Sequence, residues 1–528
     1  MKRRWGLVGL VGGIAFFSGG WLLHGAVGPR LAPEQLFERV FNAVGSYYVD
    51  SLPPDSLFRK ATDGLLLELN DPYSTMVEGE DYRELTEATT GNYGGLGIQI
   101  DVRDGFITVV APLPQTPAER AGIEAGDQIV VVNGKDTRGL NQDDAVKTLR
   151  GSPGTKVDIR VRRPGVGDLI PFSITRETIH FRSVQPTVML DDGIGLLQLT
   201  PVAETSSKEL REEIDALRKR GMKGLIFDLR GNPGGLLDQG AAVSDLFLDP
   251  GQSIVSTRGR AEGISREFAA ESKQPWPDLP VVVLVNSFTA SAAEIIAGAL
   301  QDNDRAVIVG TTTFGKGLVQ SLFNLGDGRA LKLTTARWFT PSGRSIQREV
   351  KSEADQAARL EELEAGTDSV ALDSLPDHQT ISGRKVKGGG GIVPDRIVRL
   401  DTLTAGERLF AKAIGSNIAA YRDALVGTAL QLKERGSIKS AGFTVTDEMR
   451  SEVFRRLEAK GINFTDAERA GGEMLVNEQL GYEIARYVFG RQAELTRKAM
   501  DDAQVRAATK LLRAADTPRA LMGQITDE

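Results

Sequence analysis

The sequence predicts an α/β protein, with a core of layered strands and helices, a block of short glycine-turned strands inserted in it, N-terminal helices and a helical C-terminal extension. Three observations predict this. Between residues 178 and 400, apolar runs such as Gly224-Leu225-Ile226-Phe227-Asp228 and Val281-Val282-Val283-Leu284-Val285 alternate with helical stretches, the pattern of buried strands with helices layered on them. Residues 91–177 instead show short apolar strands separated by glycines, and residues 31–90 and 401–528 carry helical periodicity. A chain of 528 residues has room for several domains of ordinary size.

Composition narrows the chemistry. The apolar content of 41% and charged content of 26% describe an ordinary folded protein, and the net charge of −7 argues against a nucleic-acid partner. With no cysteine there is no thiolate nucleophile, disulfide or thiolate metal site. The three histidines, His24, His180 and His378, lie far apart and outside any HExxH spacing, so neither a metal nor a cofactor is expected.

At the start, Met1-Lys2-Arg3-Arg4 precedes a stretch from Trp5 to Val27 broken only by Ser18 and His24. About 20 apolar residues suit a membrane-spanning helix, whereas a cleaved signal has an apolar core of about 7–15. Residues 1–30 are therefore expected to be a single-pass anchor in the inner (cytoplasmic) membrane, with cleavage at Gly25-Ala26-Val27-Gly28 as the alternative. The basic start would leave the rest of the chain on the periplasmic, extracytoplasmic side. Next, Leu36, Phe37, Val40, Phe41 and Val44 mark one face of a helix. A second helix over Ser56–Leu69 should stop at Asn70-Asp71-Pro72-Tyr73-Ser74, where the proline breaks it.

Residues 91–177 follow a definite order. Tyr93-Gly94-Gly95-Leu96-Gly97-Ile98 opens a strand, Phe106 to Val110 forms the next, then come Pro117-Ala118-Glu119-Arg120-Ala121-Gly122, Gly126-Asp127-Gln128-Ile129 and an Asn133-Gly134 turn. A helix over Gln142–Leu149 and a last strand over Thr155–Arg162 complete it. This order resembles a PDZ domain. The backbone N–H groups of the loop at Gly95, Leu96, Gly97 and Ile98 would turn toward a peptide carboxylate, and the strand edge would pair with an extended chain end.

In the core, Ile194–Leu199 reads as a strand, and Ser206-Ser207-Lys208-Glu209 has the spacing of a capping box opening a helix that closes at Arg220-Gly221. The strand at Gly224–Arg230 runs into Gly231-Asn232-Pro233-Gly234-Gly235. Reactive groups in such layered domains collect where strands end and helices begin. Ser291, in Asn286-Ser287-Phe288-Thr289-Ala290-Ser291-Ala292-Ala293-Glu294, stands at such a corner among small neighbours. Its hydroxyl either caps the helix or acts as a nucleophile. In the second reading the N–H of Ala292, with one from Gly234 or Gly235, would hold an oxyanion.

A serine nucleophile needs a base, and no histidine is near. Lys316, in Thr313-Phe314-Gly315-Lys316-Gly317, is either a surface lysine in a glycine turn or a desolvated one. Desolvation disfavours the ammonium and would make it a usable base. Gln320, four residues on, falls on the same face and would orient the amine.

The Asp228–Gly235, Asn286–Glu294 and Thr313–Gln320 motifs, with Asp71-Pro72-Tyr73-Ser74 and Gly391-Ile392-Val393-Pro394-Asp395, resemble those of the carboxyl-terminal processing proteases, also called tail-specific proteases. The resemblance implies that Ser291 is the nucleophile, Lys316 the general base and Gln320 its orienting partner. It implies a serine endopeptidase that recognises protein C-termini through an inserted PDZ domain, in which Arg150 matches an arginine that gates the active site in some members. Protein or peptide substrates with exposed C-termini are the expected partners, with room for an activating adaptor and a homo-oligomer. The rival reading is a PDZ scaffold that binds protein tails without cutting them.

Two segments depart from the family pattern. Residues 352–387, with the acidic run Glu361-Glu362-Leu363-Glu364, read as a solvated insertion. In the tail after Leu400, Thr404-Ala405-Gly406-Glu407 and Thr465-Asp466-Ala467-Glu468 have capping-box spacing, and Leu409, Phe410, Ala413, Ile414 and Ile418 form a stripe. An assembly or regulatory domain is expected there.

Overall fold

The computed structural model describes residues 32–349 apart from 104 and 164, residue 357, residues 374–399 and residues 402–526. The chain divides into two units, Met1–Met76 and Val77–Glu528. In the first, helices α1 (Pro33–Tyr47) and α2 (Pro54–Leu67) each begin with a proline, whose missing N–H would have had no intrahelical partner there. Leu36, Phe37 and Val40 are exposed on α1. In the turn after α2, the Asp71 carboxylate accepts the Tyr73 N–H at 3.1 Å and the Ser74 hydroxyl at 2.5 Å.

The expected inner-membrane location is corrected here. Among the described residues no helix is long and apolar enough to cross a membrane, and the apolar run read as an anchor lies outside them.

In the second unit, α3 (Gly79–Thr90) leads to the inserted domain. The ingoing segment Asn92–Gly95 and the outgoing segment Glu177–His180 pair antiparallel. Between them, β1 (Ile98–Arg103), β2 (Phe106–Pro112), β3 (Gln128–Val132), β4 (Lys156–Arg162) and β5 (Ile170–Thr175) form one sheet in that order. Helices α4 (Pro117–Ala121) and α5 (Gln142–Leu149) accompany it, and α5 has the bounds expected. Ile107, Ile129, Val157 and Ile159 form its centre. Thr155–Arg162 is not the last strand, because β5 pairs with β4 from Lys156 to Val161. Pro171 disguises β5 in the sequence, and its place on an outer strand is where a missing donor is tolerated.

The core begins with β6 (Val188–Leu190), β7 (Ile194–Gln198), α6 (Ser206–Lys219), β8 (Gly224–Asp228) and α7 (Leu237–Asp245). It continues through β9 (Ser253–Gly259), β10 (Arg266–Ala269), β11 (Val281–Val285), α8 (Ala292–Asp302) and β12 (Val307–Gly310). The long hairpin of β13 (Leu318–Gly326) and β14 (Arg329–Phe339) follows, and β15 (Arg396–Ile397) closes the main sheet. That sheet has the order β6-β7-β8-β11-β12-β15, antiparallel only between β6 and β7. A second, antiparallel set joins β10, β9, β14 and β13.

Every residue of β8, β11 and β12 is buried, as in a parallel sheet covered on both faces. Successive residues point to opposite faces. Leu225, Phe227, Val281, Val283 and Ile308 pack with Leu210, Ile214, Ile296 and Leu300 of α6 and α8. Ile226, Val282, Leu284, Val307 and Val309 meet the C-terminal end of the chain instead. The start of α6 differs from the expected box. Thr205 is its N-cap, Ser206 Oγ accepts the Ala203 N–H at 2.8 Å, and Glu209 turns to His180 Nε2 at 2.8 Å and Thr205 Oγ1 at 2.6 Å.

In the tail, α9 (Ala405–Ile414), α10 (Ile418–Arg435), α11 (Asp447–Ala459) and α12 (Asp466–Ile484) share a core of Phe410, Val453, Val476, Leu480 and Ile484. Both predicted capping boxes form, at Thr404 and Thr465. The predicted stripe divides, since Phe410 and Ile414 are buried while Leu409 and Ile418 are exposed. The final helices α13 (Arg491–Asp501), α14 (Ala503–Arg513) and α15 (Pro518–Thr526) change the picture of the tail. Val505, Ala508, Leu511, Leu512 and Leu521 cover the second face of the main sheet, so the end of the extension is a layer of the core itself. Of the segment read as an insertion, the acidic run lies outside the described residues, while Asp377–Gln379 and Lys385–Lys387 pair as a hairpin.

Candidate active site

Ser291 is the N-cap of α8, at φ 54 and ψ −120. An N-cap ordinarily lies in the β region, and a positive φ at a non-glycine residue stores strain that its surroundings must hold. Those surroundings are the glycine loop after β8. The Ala290 N–H donates to the Asn232 carbonyl at 2.9 Å, the Gly231 N–H to Asn286 Oδ1 at 3.0 Å, and the Thr289 hydroxyl to the Leu229 carbonyl at 2.9 Å. Asn232 Nδ2 reaches back to the Leu199 carbonyl at 2.7 Å. Two loops from adjacent parallel strands are thus clamped together at their C-terminal ends.

Glu294, fully buried on the first turn of α8, joins this corner to the loop that carries Lys316. Its Oε2 accepts the N–H of Ser291 at 2.8 Å and of Lys316 at 2.9 Å, while Oε1 accepts the Gly315 N–H at 2.7 Å and the Thr313 hydroxyl at 2.5 Å. Burial pushes the Glu294 carboxyl above its ordinary value, against these four hydrogen bonds, which favour the charged form. Thr313 Oγ1 also accepts the Ile392 N–H at 2.7 Å, which ties in the Gly391–Asp395 motif. Asp395 in turn accepts the Ile308 N–H and Gln301 Nε2, each at 2.8 Å.

Lys316 Nζ donates to Gln320 Oε1 at 2.9 Å. The lysine's backbone is fixed on its other side by Trp338, whose Nε1 donates to the Lys316 carbonyl at 3.0 Å. Ser291, Lys316 and Gln320 line one cleft of 330 Å³ together with Gly234, Gly235, Ala292 and residues of α3, Leu85, Ala88 and Thr89. The structure therefore brings together the expected nucleophile, base and orienting amide in one cleft.

The two glycines expected at the oxyanion position are not equivalent. The Gly234 N–H donates to Asn232 Oδ1 at 2.9 Å. The N–H groups of Gly235 and Ala292 have no acceptor among the described residues, and Ala292 is the first residue of a helix, where free N–H groups are intrinsic. Gly234 still has to be glycine, because a Cβ there would lie 2.6 Å from the Ala290 carbonyl oxygen and 2.8 Å from Ser291 Cβ.

The inserted domain offers a groove of 90 Å³ between β1 and α5, lined by Gly95, Leu96, Gly97, Ile98, Leu149 and Arg150 among others. Gly97 has φ 72, and a Cβ on it would fall 2.3 Å from Thr116 Cβ. Arg150 stacks on Tyr93 at 4.5 Å and pairs with Glu87 at 2.6 Å. Glu87 lies on α3, the helix that also lines the Ser291 cleft.

Sequence reasoning quoted Asn232, Asn286, Thr289, Glu294 and Thr313 as motif members without giving them work. Their polar side chains beside buried strand ends were the available signal, since such groups have to be paired.

A family model described as Peptidase family S41 matches residues 193–355, and one described as PDZ domain matches residues 85–162. The chain is 41% identical over 332 residues to the carboxy-terminal processing protease CtpA of Bacillus subtilis (strain 168), covering 62% of this chain and 70% of that protein. It is also 41% identical over 315 residues to a carboxy-terminal-processing protease of Bartonella bacilliformis, covering 59% and 72% of the two chains. With a carboxyl-terminal-processing protease of a Picosynechococcus species the identity is 41% over 293 residues, covering 55% and 70%.

Proposed function

We propose, from the premise that the chain belongs to the carboxy-terminal processing proteases of peptidase family S41, that it cuts peptide bonds with Ser291 as nucleophile and Lys316 as general base. The observation that carries this reading is that Ser291 and the Lys316–Gln320 pair line one cleft. A neutral Lys316 amine donating to Gln320 Oε1 keeps its lone pair for the Ser291 proton. As Ser291 Oγ bonds to the substrate carbonyl carbon, its proton passes to Lys316 Nζ, and the Gly235 and Ala292 N–H groups receive the oxyanion. Lys316 then gives the proton to the departing amine as the C–N bond breaks. Water, deprotonated by Lys316, hydrolyses the acyl-enzyme and frees Ser291.

In the same reading, the Gly95–Ile98 loop captures a substrate's terminal carboxylate while the chain behind it pairs with β1. Arg150, linked to Glu87, would carry the occupancy of that groove to α3 and hence to the cleft. The experiment is cleavage of a loosely folded protein with an apolar C-terminus by the full chain, beside Ser291→Ala and Lys316→Ala. Cleavage by the wild type, with a fall in kcat of about a thousandfold or more in either variant and binding retained, is expected. Unchanged cleavage by either variant would remove that residue from the mechanism. Binding without cleavage by all three would favour a tail-binding scaffold.

A further inference from the structure

Among the described residues lining the Ser291 cleft, Lys316 and Lys332 are the two ionisable side chains, and both are basic. Lys316 is held by Gln320. The Lys332 ammonium, on a half-buried residue of β14, makes no hydrogen bond or ion pair among the described residues. A partly desolvated cation with no counterion is costly until an anion arrives, and a cleft of one sign with apolar walls concentrates its field on an incoming ligand. We propose that Lys332 binds a carboxylate of the substrate and so selects which peptide bond reaches Ser291. This deepens the protease reading and rests on it.

Strand register sets where that carboxylate falls. Lys332 lies opposite Leu322, and Thr334 lies opposite Gln320. Lys332 and Thr334 share a face of β14, and two residues along a strand span about 7 Å. Among the described residues β13 pairs as a strand only with β14. A substrate extended beside β13 would therefore place the carboxylate about two residues from the bond cut near Gln320. That group is either an Asp or Glu side chain or, in a substrate whose end is not held by the Gly95–Ile98 loop, the terminal carboxylate a short way beyond the cut.

The test uses the full chain and a cleavable peptide carrying Glu or Gln at each position within three residues of the cut, made with a free or an amidated C-terminus. The wild type should prefer the carboxylate about tenfold in kcat/KM at one position, as expected of a charge-assisted hydrogen bond. Lys332→Met, which keeps the stem, should bring that ratio to about one, and Lys332→Arg should keep it. Loss of the preference on amidation alone identifies the chain terminus as the ligand, and loss on Glu-to-Gln replacement alone identifies a side chain.

The same ratio should be read as Kd from fluorescence anisotropy on Ser291→Ala, with no turnover needed. Selective binding without cleavage by the wild type would therefore count against the protease reading and not against Lys332. The proposal is overturned if Lys332→Met keeps the preference. It is also overturned if the variant slows acidic and neutral peptides equally with a displaced pH–rate profile, because Lys332 would then act on Lys316.

Discussion

Arg230 binds Asp502 at 2.7 Å across 272 residues of sequence. Arg230 leads into the glycine loop beside Ser291, and Asp502 is the N-cap of α14, where it accepts the N–H groups of Gln504 at 2.8 Å and Val505 at 3.0 Å. Asp228 and Asp502 together hold the guanidinium, raising its proton affinity although burial opposes this. The C-terminal layer is therefore bonded to the loop that contributes Gly235.

Asp502→Ala should cost about 2–4 kcal/mol, since it removes a cap and leaves a largely buried arginine with one carboxylate. Urea unfolding measures the loss. If the pair also positions the loop, kcat should fall with little change in peptide affinity.

Glu294→Gln should cost about 2–4 kcal/mol and most of the activity. Both carboxylate oxygens accept a backbone N–H, so either orientation of the amide sets an NH₂ against a donor. A variant of wild-type stability and kcat would show that the carboxylate is not needed to hold Ser291 and Lys316.

Gly235→Ala should be inactive and destabilised. The added Cβ would lie 2.0 Å from the Val202 carbonyl oxygen, at a φ of 149. The loop can relieve that contact only by moving the N–H assigned to the oxyanion, and losing one such donor typically costs 10²–10³ in kcat. Single-turnover kinetics on the soluble fraction would separate this from misfolding.

Glu209 predicts a pH dependence. Burial raises its carboxyl, but hydrogen bonds from Thr205, His180 and the Val184 N–H outweigh burial and leave it below the ordinary value. A depressed folded value stabilises the protein above the unfolded carboxyl range, about 4.3, and that contribution is lost as pH falls through the folded value. The stability difference between wild type and Glu209→Gln should be level above pH of about 5 and shrink below about 4. A constant difference across that range would contradict the assignment.

The layered core was legible because its strands are uninterrupted apolar runs, and α5 from its place in the PDZ-like order, while its cap at Asn141 is seen only in the structure. The serine corner and the lysine between glycines marked Ser291 and Lys316 as candidates, with Gln320 on the face of Lys316. The residues alone left each with a second reading, and that the three line one cleft is seen only in the structure. The start of α6 was misread because Ser206 and Thr205 both suit a cap, and the deciding contact, His180 to Glu209, is distant in sequence. The covering of the sheet by α14 was hidden for the same reason. An apolar stripe such as Val505, Ala508 and Leu512 states that something is buried, not against what.

The antiparallel zip between Asn92–Gly95 and Glu177–His180 makes the PDZ domain a detachable cassette. Its two ends leave the protease core as neighbours about 5 Å apart, so the core closes over the insertion point with or without it and the domain adds little loop-closure cost. Fusing Asn92 to His180 through a two-residue turn should therefore leave a core that still unfolds cooperatively in calorimetry. Such an excision also removes Arg150 and its pair with Glu87 on α3, so comparing the shortened chain with the full one separates what the inserted domain does for the cleft from what it does for the fold.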